Sequence, residues 1–149
     1  MTDAEDGGSS LRLERLIPSS PESLFALWTE PEQLLKWWGP QDCVTSVHTL
    51  DLRPGGRWRI LLHRSDGSSL AVSGVYRVVE PPRGLAFTWA WEDESGARGH
   101  ETEVVVTFEP APGGTRLVLL QRHFQNRQRR DGHDAGWSAS FERLARIEG

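Results

Sequence analysis

Apolar residues recur along this chain with two different periods, and the changes between them mark its elements. Leu11, Leu13 and Ile17 alternate with Arg12, Glu14 and Leu16, and Arg15 shares the phase of Leu13 and Ile17. Period two of this kind predicts a half-buried strand. Ser20-Pro21-Glu22 then supplies a hydroxyl cap, a proline at the first helical position and an acid in the first turn. A short helix follows, with Leu24, Phe25, Leu27 and Trp28 on its apolar face. Pro31 opens a second short helix through Leu34, Leu35, Trp37 and Trp38, which Gly39-Pro40 stops.

From there the period is two, and it predicts strands near 44–52, 57–64, 70–80, 85–91, 102–109 and 115–122. The separators are turn formers: Pro54-Gly55-Gly56, Ser65-Asp66-Gly67, Pro81-Pro82-Arg83-Gly84, Ser95-Gly96 and Pro112-Gly113-Gly114. Connections this short join antiparallel neighbours, so the sheet is a meander. Helical spacing returns at the end, where Trp137, Phe141, Leu144 and Ile147 fall on one stripe of a helix from about residue 131. Asp131 and Asp134 then lie in or near its first turn, where carboxylates suit the helix dipole.

Strand, two small helices, six strands and a long helix predict an α+β fold. A curved antiparallel sheet of about seven strands must cover its apolar face, and only the C-terminal helix is long enough to do so. A curved sheet and one helix rarely touch along their whole length, which leaves a cavity between them.

Composition narrows the classes. Hydrophobic residues make up 37% and charged residues 26%, which excludes a disordered tail and a membrane protein. No apolar run reaches the length of a spanning helix. Residues 1–10 are polar, acidic and rich in glycine and serine, without the tract of a signal peptide. They are expected to form a disordered leader before a single domain over 11–149. Cys43 is the lone cysteine, so no internal disulfide forms and a cytoplasmic location is expected. A net charge of −4 argues against nucleic acid as a partner. Arg122, Arg127, Arg129 and Arg130 form a local exception, an acid- or phosphate-binding patch or, as the overall sign favours, a solvated loop.

Several segments together resemble a known family. They are Arg15, Trp28-Thr29-Glu30-Pro31, Lys36-Trp37-Trp38-Gly39-Pro40, Asp51-Leu52-Arg53-Pro54-Gly55-Gly56-Arg57-Trp58 and Asp66-Gly67. Gly74-Val75-Tyr76, Pro81 to Trp89, Gly113-Gly114-Thr115-Arg116-Leu117 and Gly136-Trp137 continue the series. In this order the chain resembles the START-like SRPBCC superfamily, in the branch named for the activator of heat-shock protein 90 ATPase, small single-domain bacterial type. The resemblance covers nearly all of the chain after Ser10 and implies a helix-grip fold. Eponymous co-chaperones of that branch look like two-domain proteins with a separate chaperone-engaging domain, which ten leader residues cannot supply. A chaperone partner is therefore not expected. Relatives range from lipid carriers to polyketide cyclases, so fold transfers better than function.

Seven tryptophans accompany a single tyrosine. Alternation sends Thr102, Val104, Val106 and Phe108 inward, and groups Leu85, Phe87, Trp89 and Trp91 on one face. Trp58, Ile60 and Leu62 share a face, as do Val72, Gly74, Tyr76 and Val78. The rings of Trp58, Tyr76, Trp89 and Trp91, with Trp137 and Phe141 on the helix, either line a cavity or fill the core; both readings stand. Trp28, Trp37 and Trp38 are expected to pack at the helical corner. Arg15 is expected on the concave side, where it must meet an acid such as Asp51 or Glu80, or an anionic ligand group.

No catalytic constellation is legible. His48, His63, His100, His123 and His133 lack zinc spacing, and there is no nucleophile elbow, phosphate loop or dinucleotide fingerprint. The leading expectation is non-catalytic binding of a small hydrophobic or aromatic molecule, with no cofactor or metal. Its ligand-binding residues would be Arg15, Trp58, Tyr76, Trp89, Trp91, Trp137 and Phe141. The alternatives are a polyketide cyclase- or hydrolase-like enzyme, with Tyr76 beside Asp51 or Arg15 polarising a carbonyl, and a stress-related interaction module. A homodimer is compatible with all three.

Overall fold

The computed structural model describes residues 10–39 and 42–147. Ser10 apart, the expected leader lies outside the described residues. In chain order come β1 (Leu11–Ile17), α1 (Pro21–Thr29), α2 (Pro31–Leu34), β2 (Cys43–Leu50), β3 (Arg57–Arg64) and β4 (Ser69–Glu80). Then follow β5 (Gly84–Glu92), β6 (Thr102–Ala111), β7 (Gly114–Arg122) and α3 (Arg127–Arg146). The strands form one curved, unclosed sheet in the order β1-β7-β6-β5-β4-β3-β2, antiparallel throughout. The meander expected from the short turns is present, and β1 completes the sheet beside β7.

Local chemistry sets the element ends. Ser20 caps α1 by accepting from the Ser23 N–H at 3.1 Å. The second helix is shorter than expected: beyond Leu34 the chain tightens into turns, with Lys36 N–H bonded to Gln33 O and Trp37 N–H to Leu34 O. There the Trp37 indole turns inward and donates to Leu27 O at 2.8 Å, which fixes the corner. The long helix begins before Asp131, not at it. Asn126 is the cap, its side chain accepting from the Arg129 N–H at 2.9 Å, so Asp131 sits in the second turn and the first turn holds no acid.

The alternation holds along β3 and β6, where Trp58, Ile60, Leu62, Val104, Val106 and Phe108 are buried, whereas the central β5 buries Ala86, Thr88 and Ala90 as well as Leu85, Phe87 and Trp89. It fails on β4. A bulge between Tyr76 and Val78 reverses the phase, so Val78 is 41% exposed and Val79 packs on the core instead. Gly74 marks a second special point. A Cβ there would lie 1.8 Å from Thr88 O and 2.7 Å from Trp58 Nε1, so only glycine lets β4 approach β5 beneath the Trp58 ring.

Aromatic rings close one end of the concave face. Trp28 on α1 stacks on Trp137 with centroids 5.8 Å apart and meets Trp37 at 4.7 Å. Phe141 touches Trp28, Trp37 and Trp137. At this end α3 lies against β1 and the interior is filled. Its N-terminal half faces β3, β4 and β5 across a gap.

Candidate functional site

That gap arises from the composition of one helical face. Gly132, Ala135, Gly136 and Ala139 fall at helical spacing and line a cleft of about 890 Å³ between α3 and the sheet. A Cβ built on Gly132 or Gly136 meets nothing within 4 Å, so small side chains hold the helix clear of the strands. The opposite wall is large and apolar: Leu62 from β3, Leu70 from β4, and Trp89 and Trp91 from β5. Trp38 closes one side and Trp137 the floor. The volume is in the range of sites for drug-sized molecules.

Below this cleft the core is nearly full. A void of only about 30 Å³ remains among Trp38, Trp58, Ile60, Tyr76, Phe87 and Trp89, room for a water-sized group and no more. The expected cavity between sheet and helix thus lies under α3 from Gln128 to Ser140.

The sequence candidates separate accordingly. Trp89, Trp91 and Trp137 come together in the cleft, and Trp58 and Tyr76 border the inner void beneath Trp89. Phe141 is 1% exposed and packs in the aromatic core. Arg15 is not on a concave site. Its Cα pairs with that of Leu117 in the inward phase, but β1 is an edge strand, and the side chain reaches out to solvent and donates to Glu14 O at 2.9 Å. It meets neither Asp51, which pairs with Arg53, nor Glu80. The constellation of Tyr76 with Asp51 or Arg15 is not assembled. Conversely, Trp38 was expected to brace the corner and instead lines the cleft, 5.8 Å from Trp89.

Polar groups in the cleft are few and fixed. Trp137 Nε1 donates to Gln121 Oε1 at 2.9 Å, and Gln121 Nε2 donates to Thr102 Oγ1 at 2.8 Å. Gln121 is completely buried, so this chain of bonds holds the floor ring in one orientation. Trp91 Nε1 donates to Nε2 of His133 on α3 at 3.3 Å. Burial, and secondarily the Arg129 charge, push the His133 pKa down to about 4. At neutral pH the imidazole is uncharged with its Nε2 lone pair engaged, which leaves no free base at that atom.

Trp58 Nε1 and Trp89 Nε1 are buried donors without a hydrogen-bond partner. Leaving such a group unpaired costs about 1–3 kcal/mol. Arg143 latches the other rim, donating from Nη2 to Gly39 O and to Ser140 Oγ. Arg64 from the end of β3, with Gln128 and Arg129 from the first turn of α3, completes the mouth. Sequence reading named Arg129 only within an arginine-rich loop and His133 only as lacking zinc spacing, and it missed Arg64. The small-residue series Gly132, Ala135, Gly136, Ala139 was the signal that could have located them. The expected solvated arginine loop is divided: Arg122 pairs with Glu103 and Arg130 with Asp131, while Arg129 faces the cleft. Among the described residues no group of three or more His, Cys, Asp or Glu side chains could hold a metal ion.

Comparison with known proteins places this geometry. The family model described as Activator of Hsp90 ATPase homolog 1-like protein matches residues 18–148. The chain is 36% identical to an AHSA1 protein from Silicibacter pomeroyi, with a TM-score of 0.81 over 91% of this chain and 94% of that one. A protein from Chromobacterium violaceum gives a TM-score of 0.84 at 24% identity, over 92% of this chain and 94% of that one. For a protein from Mycobacterium smegmatis the TM-score is 0.79 at 23% identity, over 93% and 90% of the two chains. The last two likenesses concern the fold alone. No curated protein matches the chain.

Proposed function

The chain belongs to the Activator of Hsp90 ATPase homolog 1-like protein family, and on that premise we propose that it binds a small hydrophobic or aromatic molecule in the cleft under α3, without catalysis. The observation that carries this reading is the cleft itself. Four indoles face about 890 Å³ of space, next to a core void of about 30 Å³. A helix that needed only to cover the sheet would carry large apolar residues here, as it does at Phe141 and Leu144. Glycine at 132 and 136 costs about 1 kcal/mol each in helix propensity, so keeping the gap is destabilising in itself. The family fold commonly holds hydrophobic ligands, which agrees with such a use.

Trp89, Trp91, Trp38 and Trp137 form the contact surface. Trp89 and Trp137 present ring faces and edges to the cleft, while the Trp89 N–H is turned into the protein and has no partner there. Trp58 and Tyr76 back this wall, and Phe141 acts through Trp137 by packing. A catalytic role lacks support from His133, which is neutral and already bonded to Trp91. An interaction module would present a contiguous apolar patch, whereas the exposed large apolar residues Leu16, Leu35, Val44 and Val78 come from different elements. No described helix is long and apolar enough to cross a membrane. The unpaired Cys43 fits the reducing cytoplasm, where we place the protein.

Titration with octanamide and 4-phenylbutanamide tests the reading. A saturable change in tryptophan emission and a one-to-one adduct in native mass spectrometry are expected. Neither signal with either probe would contradict it.

A further inference from the structure

Charge at the mouth of the cleft identifies the class of ligand. Arg64, the last residue of β3, and Arg129, in the first turn of α3, lie on opposite walls of one opening. No aspartate or glutamate among the described residues lines it. The acids nearby are engaged elsewhere: Asp131 pairs with Arg130, Glu92 with Arg59, and Glu103 with Arg122. Arg64 hydrogen-bonds Cys43 on β2, which itself donates to Asp42, and feels the carboxylate of Asp66 in the adjoining turn at longer range. In a chain of net charge −4 this is a local inversion of sign. Its field is felt inside the cleft, where the Arg129 charge adds to burial in disfavouring the protonated form of His133.

The hydrogen-bonding inventory points the same way. Trp91 takes the Nε2 lone pair of His133, so the neutral ring carries its proton on Nδ1 and offers a donor there. Both guanidiniums at the opening donate only. Of the acceptors, Gly39 O and Ser140 Oγ are occupied by Arg143. The cleft thus has positive charge at its opening without negative charge among its lining residues, with an apolar body of indole behind it.

We infer that the occupant is an organic acid: an amphiphile whose apolar part lies on Trp89, Trp91 and Trp137 and whose carboxylate meets Arg64 and Arg129 at the opening. This rests on the binding reading above and adds the chemical class. Both arginines are exposed, so the acid group keeps part of its hydration, and the arginines select the ligand more than they tighten its hold. Planar guanidiniums on two sides suit the two oxygens of one carboxylate.

Isothermal titration calorimetry with 4-phenylbutanoate and its neutral isostere 4-phenylbutanamide separates the two levels. The acid is expected to bind about tenfold more tightly at low ionic strength, with the ratio shrinking as salt is added. In an Arg64→Gln/Arg129→Gln double variant the amide should bind as before and the preference should disappear. Equal affinity of wild type for acid and amide overturns the charge inference and leaves the hydrophobic site standing. Survival of the preference in the double variant overturns it as well, by showing that the acid is read elsewhere. Failure of both probes to bind wild type contradicts the binding reading, and this inference falls with it.

Discussion

The indole N–H of Trp91 on β5 donates to Nε2 of His133 on α3 at 3.3 Å, and this bond joins sheet and helix across the cleft. An indole only donates, so the imidazole must accept at Nε2 to keep the contact. Protonation of His133 would set two donors against each other. The same ring packs on Phe124 with centroids 5.0 Å apart and on Trp89 at 5.7 Å, so the junction is apolar on both sides.

A pH dependence follows. His133 is held at about 4 in the folded protein against the ordinary imidazole value of 6.5, by burial first and Arg129 second. Between those values the unfolded chain binds more protons than the folded one, so stability rises with pH through the window and is lost as pH falls from 6.5 toward 4. The loss from this group is at most about 3 kcal/mol. Urea denaturation of wild type and His133→Gln at pH 7, 5.5 and 4.5 checks it. Wild type should lose more stability over this range than the variant, and parallel losses would show that His133 does not titrate as described.

Gln121 is the second polar joint. It accepts from Trp137 Nε1 and donates to Thr102 Oγ1 with no exposure to solvent. Replacing it by leucine keeps the approximate volume and strands the indole N–H. A destabilisation of about 2 kcal/mol is expected, read as a lower midpoint in urea with an unchanged slope. A neutral Gln121→Leu would mean that water satisfies the ring.

Gly136 separates stability from binding. Its position is exposed and a Cβ meets nothing within 4 Å, so Gly136→Ala should stabilise the helix by about 1 kcal/mol. Gly136→Leu should retain the fold and fill the cleft, weakening 4-phenylbutanamide binding at least about tenfold, as calorimetry would show. Undiminished binding by Gly136→Leu places the ligand elsewhere.

Much of the fold was legible in the residues. Period-two runs and strong turn formers placed the strands within a few residues, because β3, β6 and β7 bury one face against a single core. Ser20-Pro21-Glu22 located α1 for the same kind of reason: its cap is local chemistry. The start of α3 was misread because Asn126 lies before a polar, arginine-rich turn that carries no apolar periodicity. On β4 the bulge beside Tyr76 has no signature in alternation. The site was legible in part. Trp89, Trp91 and Trp137 announced themselves by size and phase, whereas Arg15 had the right phase and the wrong strand: at a sheet edge a long side chain leaves the face its Cα shares. Phe141 had the right stripe but lies beyond the gap. The residues that make the cleft are glycine and alanine, and their importance lies in space that only the folded partner defines.

Indole N–H resonances in a two-dimensional ¹H–¹⁵N spectrum test the central claim most directly, because the chain's seven tryptophans report from different depths. On titration with 4-phenylbutanamide, and again with 4-phenylbutanoate, the signals of Trp38, Trp89, Trp91 and Trp137 should move saturably. Trp37, bonded to Leu27 O away from the cleft, should stay in place. Saturable shifts confined to residues outside the cleft, or none with either probe, would contradict the account.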